Sequence, residues 1–118
     1  MGQEVGMIPQ FDMSSESPDG AVSLRCPSCA GVYTHQGDVR VVMREEDAEH
    51  GLSVSVSRRR TVVVGTDVQG NPSPRRHGLS IEFLCETCHS VFGMDIYQHK
   101  GVTRMVVKRT GHASPETI

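Results

Sequence analysis

Apolar and polar side chains alternate along much of the chain between residues 39 and 107. Four runs, residues 39–44, 52–57, 79–84 and 92–97, follow this period, and 61–64 and 103–107 are further strand candidates. In the clearest run, Leu52, Val54 and Val56 alternate with serines. A period of two gives a strand one apolar and one polar face, and no long segment has the 3.6-residue period of a helix. The pattern therefore predicts a mainly β, antiparallel fold.

The segments between and outside these runs have other compositions. Residues 45–50 precede Gly51 and could form about one helical turn. Residues 68–78 contain two prolines and two glycines, which predicts a loop. Residues 1–20 and 110–118 are polar and poor in large apolar side chains, so we expect disordered tails around a domain at residues 21–109.

The length of 118 residues is that of one small domain, and its large aromatic side chains are few: three Phe, two Tyr and no Trp. We therefore expect a thin core of aliphatic side chains that needs additional support. No apolar run approaches the roughly 20 residues that cross a bilayer, and the N-terminus lacks a secretory pattern. These features predict a cytoplasmic protein without a membrane partner.

The four cysteines form two pairs of identical spacing, Cys26 with Cys29 and Cys85 with Cys88. A tight turn with this spacing can direct two sulfurs at one point, with backbone N–H groups facing them. Two such turns supply the four thiolates of a tetrahedral, structural Zn²⁺ site. Catalytic zinc requires an open coordination position, so four protein ligands argue against hydrolysis at this site.

Other interpretations of the cysteines remain open. Four thiolates also bind iron, alone or in a cluster. Disulfides persist poorly in a reducing compartment, and neither pair opens a helix of the kind that lowers a thiol pKa in redox enzymes. His89, next to Cys88, could replace a sulfur ligand or donate to one.

The sequences CPSC at 26–29 and CETC at 85–88, each joined to hairpin-like sequence, resemble the zinc-ribbon superfamily. The resemblance implies an antiparallel zinc-ribbon-like sheet over roughly residues 24–107. The 55 residues between the two pairs exceed a simple ribbon and leave room for an inserted β-hairpin. The whole chain also looks like small zinc-ribbon proteins of bacteria and their mobile elements, which implies no particular activity.

Nothing in the sequence suggests an enzyme or a small-molecule substrate. The six histidines form no HExxH pattern, and neither a GxSxG motif nor a phosphate-binding glycine loop is present. His35 is expected on a loop surface. We therefore assign no catalytic residue.

Charge is unevenly distributed. Residues 1–24 contain four acidic and no basic side chains, whereas residues 58–118 contain nine basic and five acidic ones. The basic side chains form three groups that could contact phosphates. Their members are Arg58, Arg59 and Arg60, then Arg75 and Arg76, then Lys100 and Arg104 among their neighbours. The acidic residues at 45–49 could instead pair with one of these groups.

These observations favour a noncatalytic, zinc-stabilised binding module that docks on a protein partner or on a second copy of itself. Sheet edges favour strand addition or dimer formation. The alternatives are a nucleic-acid-binding regulator that uses the basic loops and, for a mobile-element gene, an inhibitor of host machinery.

Overall fold

The computed structural model describes residues 6–14 and 18–112, and the described residues contain eight strands and no helix. The strands are β1 (Phe11–Asp12), β2 (Ser23–Leu24), β3 (Thr34–Met43), β4 (Leu52–Val56), β5 (Val62–Gly65), β6 (Gly78–Cys85), β7 (Ser90–His99) and β8 (Val102–His112). The mainly β prediction and all six predicted strand runs are confirmed.

Strands β3 to β8 form one six-stranded antiparallel sheet in the order β5-β4-β3-β6-β7-β8. Strands β1 and β2 form a separate antiparallel pair. Only the β3–β6 pairing joins strands that are not consecutive, so β4 and β5 form a hairpin inserted between these two central strands. The predicted loop connects β5 to β6 across the sheet.

One face of the large sheet is apolar across its entire width. Residues that pair directly lie on the same face of neighbouring strands. One such row crosses all six strands: Val64, Val54, Val41, Leu79, Ile96 and Met105. The next row is also apolar: Val62, Val56, Val39, Ile81, Met94 and Val107. We call these two rows, with the paired Leu52 and Met43, the apolar face.

The opposite, polar face carries small and charged side chains between these rows. Its central row is Val63, Ser55, Arg40, Ser80, Asp95 and Val106. The loop at 66–77 covers one end of this face, where Val42 is only 1% exposed. Arg40 holds the loop by donating to the backbone carbonyls of Asp67 and Gln69 at 2.9 and 2.7 Å. The buried Ser73 hydroxyl anchors its other side by donating to the Gln98 carbonyl at 2.7 Å.

The buried core lies on the part of the apolar face nearest the cysteine turns. It contains Cys26, Cys85, Phe92, Met94 and Val107, and half-buried Leu24 packs against it. The rings of Phe83 and Phe92 stack with centroids 5.4 Å apart. The segment around β2 therefore forms a second layer over the part of this face that contains Phe92, Met94 and Val107.

Strand pairing extends beyond residues 21 and 109, the limits expected for the domain. Met7 pairs with Val107 through two backbone hydrogen bonds of 2.8 and 2.9 Å, and β1 precedes residue 21. Strand β8 continues to His112. Within the two predicted tails, residues 1–5, 15–17 and 113–118 lie outside the described residues.

The segment after β3 makes a turn but no helix. The Ala48 N–H donates to the Glu45 carbonyl at 3.1 Å, and Asp47 then has a φ of 60°, which ends any helical path. Within the described residues no helix is long and apolar enough to cross a membrane.

We expect Gly78→Ala to destabilise the fold by about 1–3 kcal/mol, because an added Cβ overpacks the site. That Cβ would collide with Asn71 Oδ1 and lie 2.8 Å from the Pro72 ring. Gly93→Ala is the control, since its Cβ meets nothing closer than the Ile81 carbonyl at 3.8 Å. Urea unfolding of both variants measures the difference, and equal midpoints would show that the loop does not constrain Gly78.

Candidate metal centre

The four cysteine sulfurs converge at one end of the sheet. The Sγ atoms of Cys26, Cys29, Cys85 and Cys88 all lie within 4.8 Å of one another. Across the two turns, Cys26 Sγ is 3.6 Å from Cys88 Sγ, and Cys29 Sγ is 3.5 Å from Cys85 Sγ. All four thiols are free. The structure therefore brings together every cysteine that the sequence analysis proposed as a ligand.

The two cysteine turns have the same backbone conformation. The N–H of Ala30 donates to the Cys26 carbonyl, and the N–H of His89 donates to the Cys85 carbonyl, each at 2.9 Å. Ala30 and His89 both have a φ of 63°, in the left-handed region. This conformation reverses the chain directly after each second cysteine, so both sulfurs of a pair face the same point. The first turn follows β2, and the second joins β6 to β7.

Hydrogen-bond donors surround the sulfurs. The backbone N–H of Ser28 lies 3.4 Å from Cys26 Sγ, and that of Gly31 lies 3.4 Å from Cys29 Sγ. The Cys88 thiol donates to the buried Ser90 hydroxyl at 3.1 Å, and once Cys88 is deprotonated the same hydroxyl donates to the thiolate. Donors aimed at sulfur stabilise the thiolate, which is the form that binds a metal ion.

The surroundings of Cys26 and Cys88 shift the pKa values of these two thiols in opposite directions. Burial raises the pKa of Cys26 to about 12. Burial also acts to raise the pKa of Cys88, but hydrogen bonds from the Ser90 hydroxyl and N–H outweigh it and lower this pKa to about 6. Cys88 therefore offers a thiolate to an incoming cation more readily than Cys26, whose proton the cation itself must displace.

The arrangement matches the requirements of a tetrahedral metal ion. Bonds of about 2.3 Å from zinc to four sulfurs imply sulfur–sulfur distances of about 3.8 Å, close to the two distances across the turns. Cys26 and Cys85 are buried in the core, while Cys29 is exposed. An ion at this point would join the N-terminal layer to the β6–β7 hairpin.

Neither histidine near the cysteines belongs to the cluster. His89 is half-buried and contributes its backbone N–H to the second turn. His35 is exposed, with Nε2 3.9 Å from Glu86 Oε2. Within residues 6–14 and 18–112, the four cysteines are the only group of three or more His, Cys, Asp or Glu side chains placed to share a metal ion.

Sequence reasoning missed Ser90 as part of this site. The sequence did contain a signal for this role: Ser90 is two residues after Cys88, just as Gly31 is two residues after Cys29. Both residues present their backbone N–H to the second sulfur of their turn, but only Ser90 adds a hydroxyl.

The predicted basic groups lie at two different ends of the sheet. Arg58, Arg59 and Arg60 form the β4–β5 turn, where the Arg60 N–H donates to the Ser57 carbonyl at 2.9 Å. Arg75 and Arg76 precede β6, and Lys100 and Arg104 lie at the β7–β8 turn. Because neighbouring strands are antiparallel, these last two groups share the end opposite to the β4–β5 turn.

Arg75 is engaged by the acidic segment, as the sequence analysis allowed. Its guanidinium lies 2.7 Å from Glu46 Oε1 and 3.1 Å from Asp47 Oδ2. The bidentate contact with Asp47 raises the pKa of Arg75 further. This side chain therefore already binds carboxylates at the place where a phosphate was expected.

A shallow cavity of about 410 Å³ lies over the middle of the sheet. Asp38, Arg40, Ser80, Glu82 and Asp95 are among its lining residues. The Ser80 hydroxyl donates to Asp95 Oδ1 at 2.8 Å, and Arg40 is bound to the loop described above. Internal hydrogen bonds thus occupy part of its polar lining.

We expect Ser90→Ala to weaken binding of added Zn²⁺ by about 10–100-fold, the usual effect of removing a hydrogen bond to a ligand. Ser28→Ala is the matched control, because Ser28 faces Cys26 with its backbone N–H and its side chain is exposed. Competition titration against a chelating dye measures both affinities. Equal affinities for the two variants would show that the Ser90 hydroxyl does not contribute to metal binding.

Comparisons of this chain with protein-family models, with curated proteins and with solved structures find no match. The likeness to zinc ribbons therefore depends on the cysteine turns themselves. The function is inferred below from this metal centre and from the surfaces of the sheet.

Proposed function

We propose that the chain is a noncatalytic binding module whose sheet is held together by one structural zinc ion. The observation that carries this proposal is the convergence of four cysteine sulfurs from two turns that are 55 residues apart in sequence. An ion bound by all four sulfurs closes this long loop and adds stability that a thin core does not supply.

Four thiolates complete the tetrahedral coordination of zinc and leave no position for water or substrate, which supports a structural role. The matching backbone of the two turns supports a zinc-ribbon type of site in particular. Iron binds the same ligands, so metal analysis of the purified protein decides between the two ions.

The surfaces favour a protein partner over a nucleic acid. The basic groups lie at opposite ends of the sheet, and Arg75 is paired with two carboxylates. Among the aromatic side chains suited to base stacking, Phe92 is fully buried, and Tyr33 is exposed. By contrast, Val56, Val62 and Val64 of the apolar face are exposed, and an exposed apolar patch is typical of a surface that binds another protein.

We expect one zinc ion per folded chain and loss of that ion in Cys85→Ser. A structural zinc contributes about 10–16 kcal/mol of binding free energy, comparable to the whole stability of a domain, so the metal-free chain should lose its cooperative unfolding transition. Elemental analysis and thermal melts with and without a strong chelator measure both effects.

The control is His89→Asn, because Asn tolerates the left-handed backbone of this position and removes the imidazole. We expect it to retain one zinc ion per chain. A well-folded wild-type chain with less than one bound metal ion would contradict the proposed structural role. A melting temperature that the chelator does not change would contradict it as well.

Affinity capture from the native host, with zinc present, tests the class of partner. We expect the captured material to survive nuclease treatment and to be unaffected when Arg58, Arg59 and Arg60 are replaced by Gln. Salt-sensitive retention of DNA or RNA that disappears in this variant would instead support the nucleic-acid-binding alternative.

A further inference from the structure

Strand β8 forms one edge of the six-stranded sheet, and the N-terminal segment covers only part of this edge. Met7 and Val107 exchange two backbone hydrogen bonds of 2.8 and 2.9 Å. In an antiparallel ladder, the N–H and C=O groups of one residue point to the same side of the strand, and this side alternates from one residue to the next. Since Val107 directs both groups away from β7, Thr103 and Met105 direct theirs outward as well.

Pro9 gives a physical reason why the N-terminal segment leaves the edge after Met7. The register of the Met7–Val107 pair places Pro9 opposite Met105. Proline has no backbone N–H to donate to the Met105 carbonyl, so the ladder ends there. The chain continues instead into β1, which pairs with β2. Among the described residues, Met7 is the only one outside β7 whose backbone pairs with β8.

The uncovered part of the edge is accessible. Val102 is 50% exposed and Met105 is 44% exposed, and Thr103 and Arg104 are exposed as well. The outward N–H and C=O groups of Thr103 and Met105 therefore stand where an added strand can reach them. Main-chain hydrogen bonds of this kind provide the affinity when an extended peptide joins a sheet edge.

The formal charges of β8 are all basic. The strand contains Arg104, Lys108 and Arg109 and no acidic residue, and Lys100 lies in the turn before it. Within the part of the chain that the structure describes, neither Lys100 nor Arg104 forms an ion pair. Like charges on facing strands are unfavourable, so β8 disfavours the β8 edge of a second copy. The same charges favour an acidic strand.

The side chains of this edge favour a partner strand with an alternating pattern. Met105 belongs to the apolar face, whereas Arg104 projects on the polar face. In an added strand, the residue opposite Met105 places its side chain on the apolar face, and the neighbour opposite Arg104 places its side chain on the polar face. An apolar residue followed by an acidic one matches both positions.

We propose that the outer edge of β8 at residues 103–105 binds an extended segment of a partner protein, in which acidic and apolar residues alternate, as an added strand. The inference rests on the proposed function, because it names the surface and the class of segment through which the binding module contacts its protein partner. The β5 edge differs in this respect, since Val62, Val63 and Val64 offer no charge that selects a partner.

Amide NMR spectra of the full, zinc-loaded chain test this edge. The probes are two short capped peptides, one alternating valine with glutamate and the other alternating valine with lysine. We expect the glutamate peptide to shift the amide signals of Thr103 and Met105 and to slow their hydrogen exchange, because both N–H groups gain an acceptor. The lysine peptide should leave these signals unchanged.

A pair of charge reversals tests the selection by charge. Arg104→Glu places a carboxylate opposite the acidic position of the peptide and should raise its dissociation constant at least about tenfold. Arg59→Glu is the matched control, because it makes the same change of charge at an exposed position at the other end of the sheet. It should leave the dissociation constant unchanged. Thermal melts of both variants show that they are folded.

Two outcomes would overturn the β8 binding edge. One is a glutamate peptide that leaves the Thr103 and Met105 amides unchanged, and the other is equal binding of the two peptides or by the two variants. Metal content of the same samples reports separately on the proposed function. A chain that holds one zinc ion but does not bind the glutamate peptide retains the structural metal and refutes the β8 edge. A chain that folds without zinc refutes the structural metal, whichever peptide it binds.

Discussion

Two short turns must bring four sulfurs to one point, and the rest of this structure depends on that constraint. The first turn belongs to the N-terminal layer, and the second joins β6 to β7. Cys26 and Cys85 are also among the few fully buried side chains, so the cysteines are core residues as well as candidate ligands. The metal centre and the hydrophobic core are thus the same region of the molecule.

This overlap of the metal centre with the core explains why the apolar face is covered unevenly. The N-terminal segment covers the apolar face at Met94 and Val107, where the first cysteine turn and the pairing of Met7 with Val107 hold it. The chain has few large aromatic side chains to extend this cover, and Val56, Val62, Val64 and Met105 of the apolar face are exposed.

Charged side chains connect the loops to the sheet at several places. The acidic turn after β3 meets Arg75 in the loop before β6, and Asp38 accepts a hydrogen bond from the Arg58 N–H at 2.8 Å. These contacts connect loops that the strand order brings together. Exposed pairs of this kind contribute little stability each, but they select the path of the loops and divide the basic residues between two ends of the sheet.

Local chemistry, readable from the sequence, determined the strands and the cysteine turns. A period of two specifies which side chains share a face, as with Leu52, Val54 and Val56, and the spacing of each cysteine pair specifies a turn that aims two sulfurs. The tertiary structure alone decided which strands are neighbours, that Met7 pairs with Val107, that Ser90 contacts Cys88, and which side chains of the apolar face stay exposed. The physical reason is sequence separation. Periodicity reports on a residue and its near neighbours in the chain, whereas the residues that pack over a sheet face come from distant parts of the chain. The meeting of the two cysteine turns and the pairing of Met7 with Val107 determine where that cover lies.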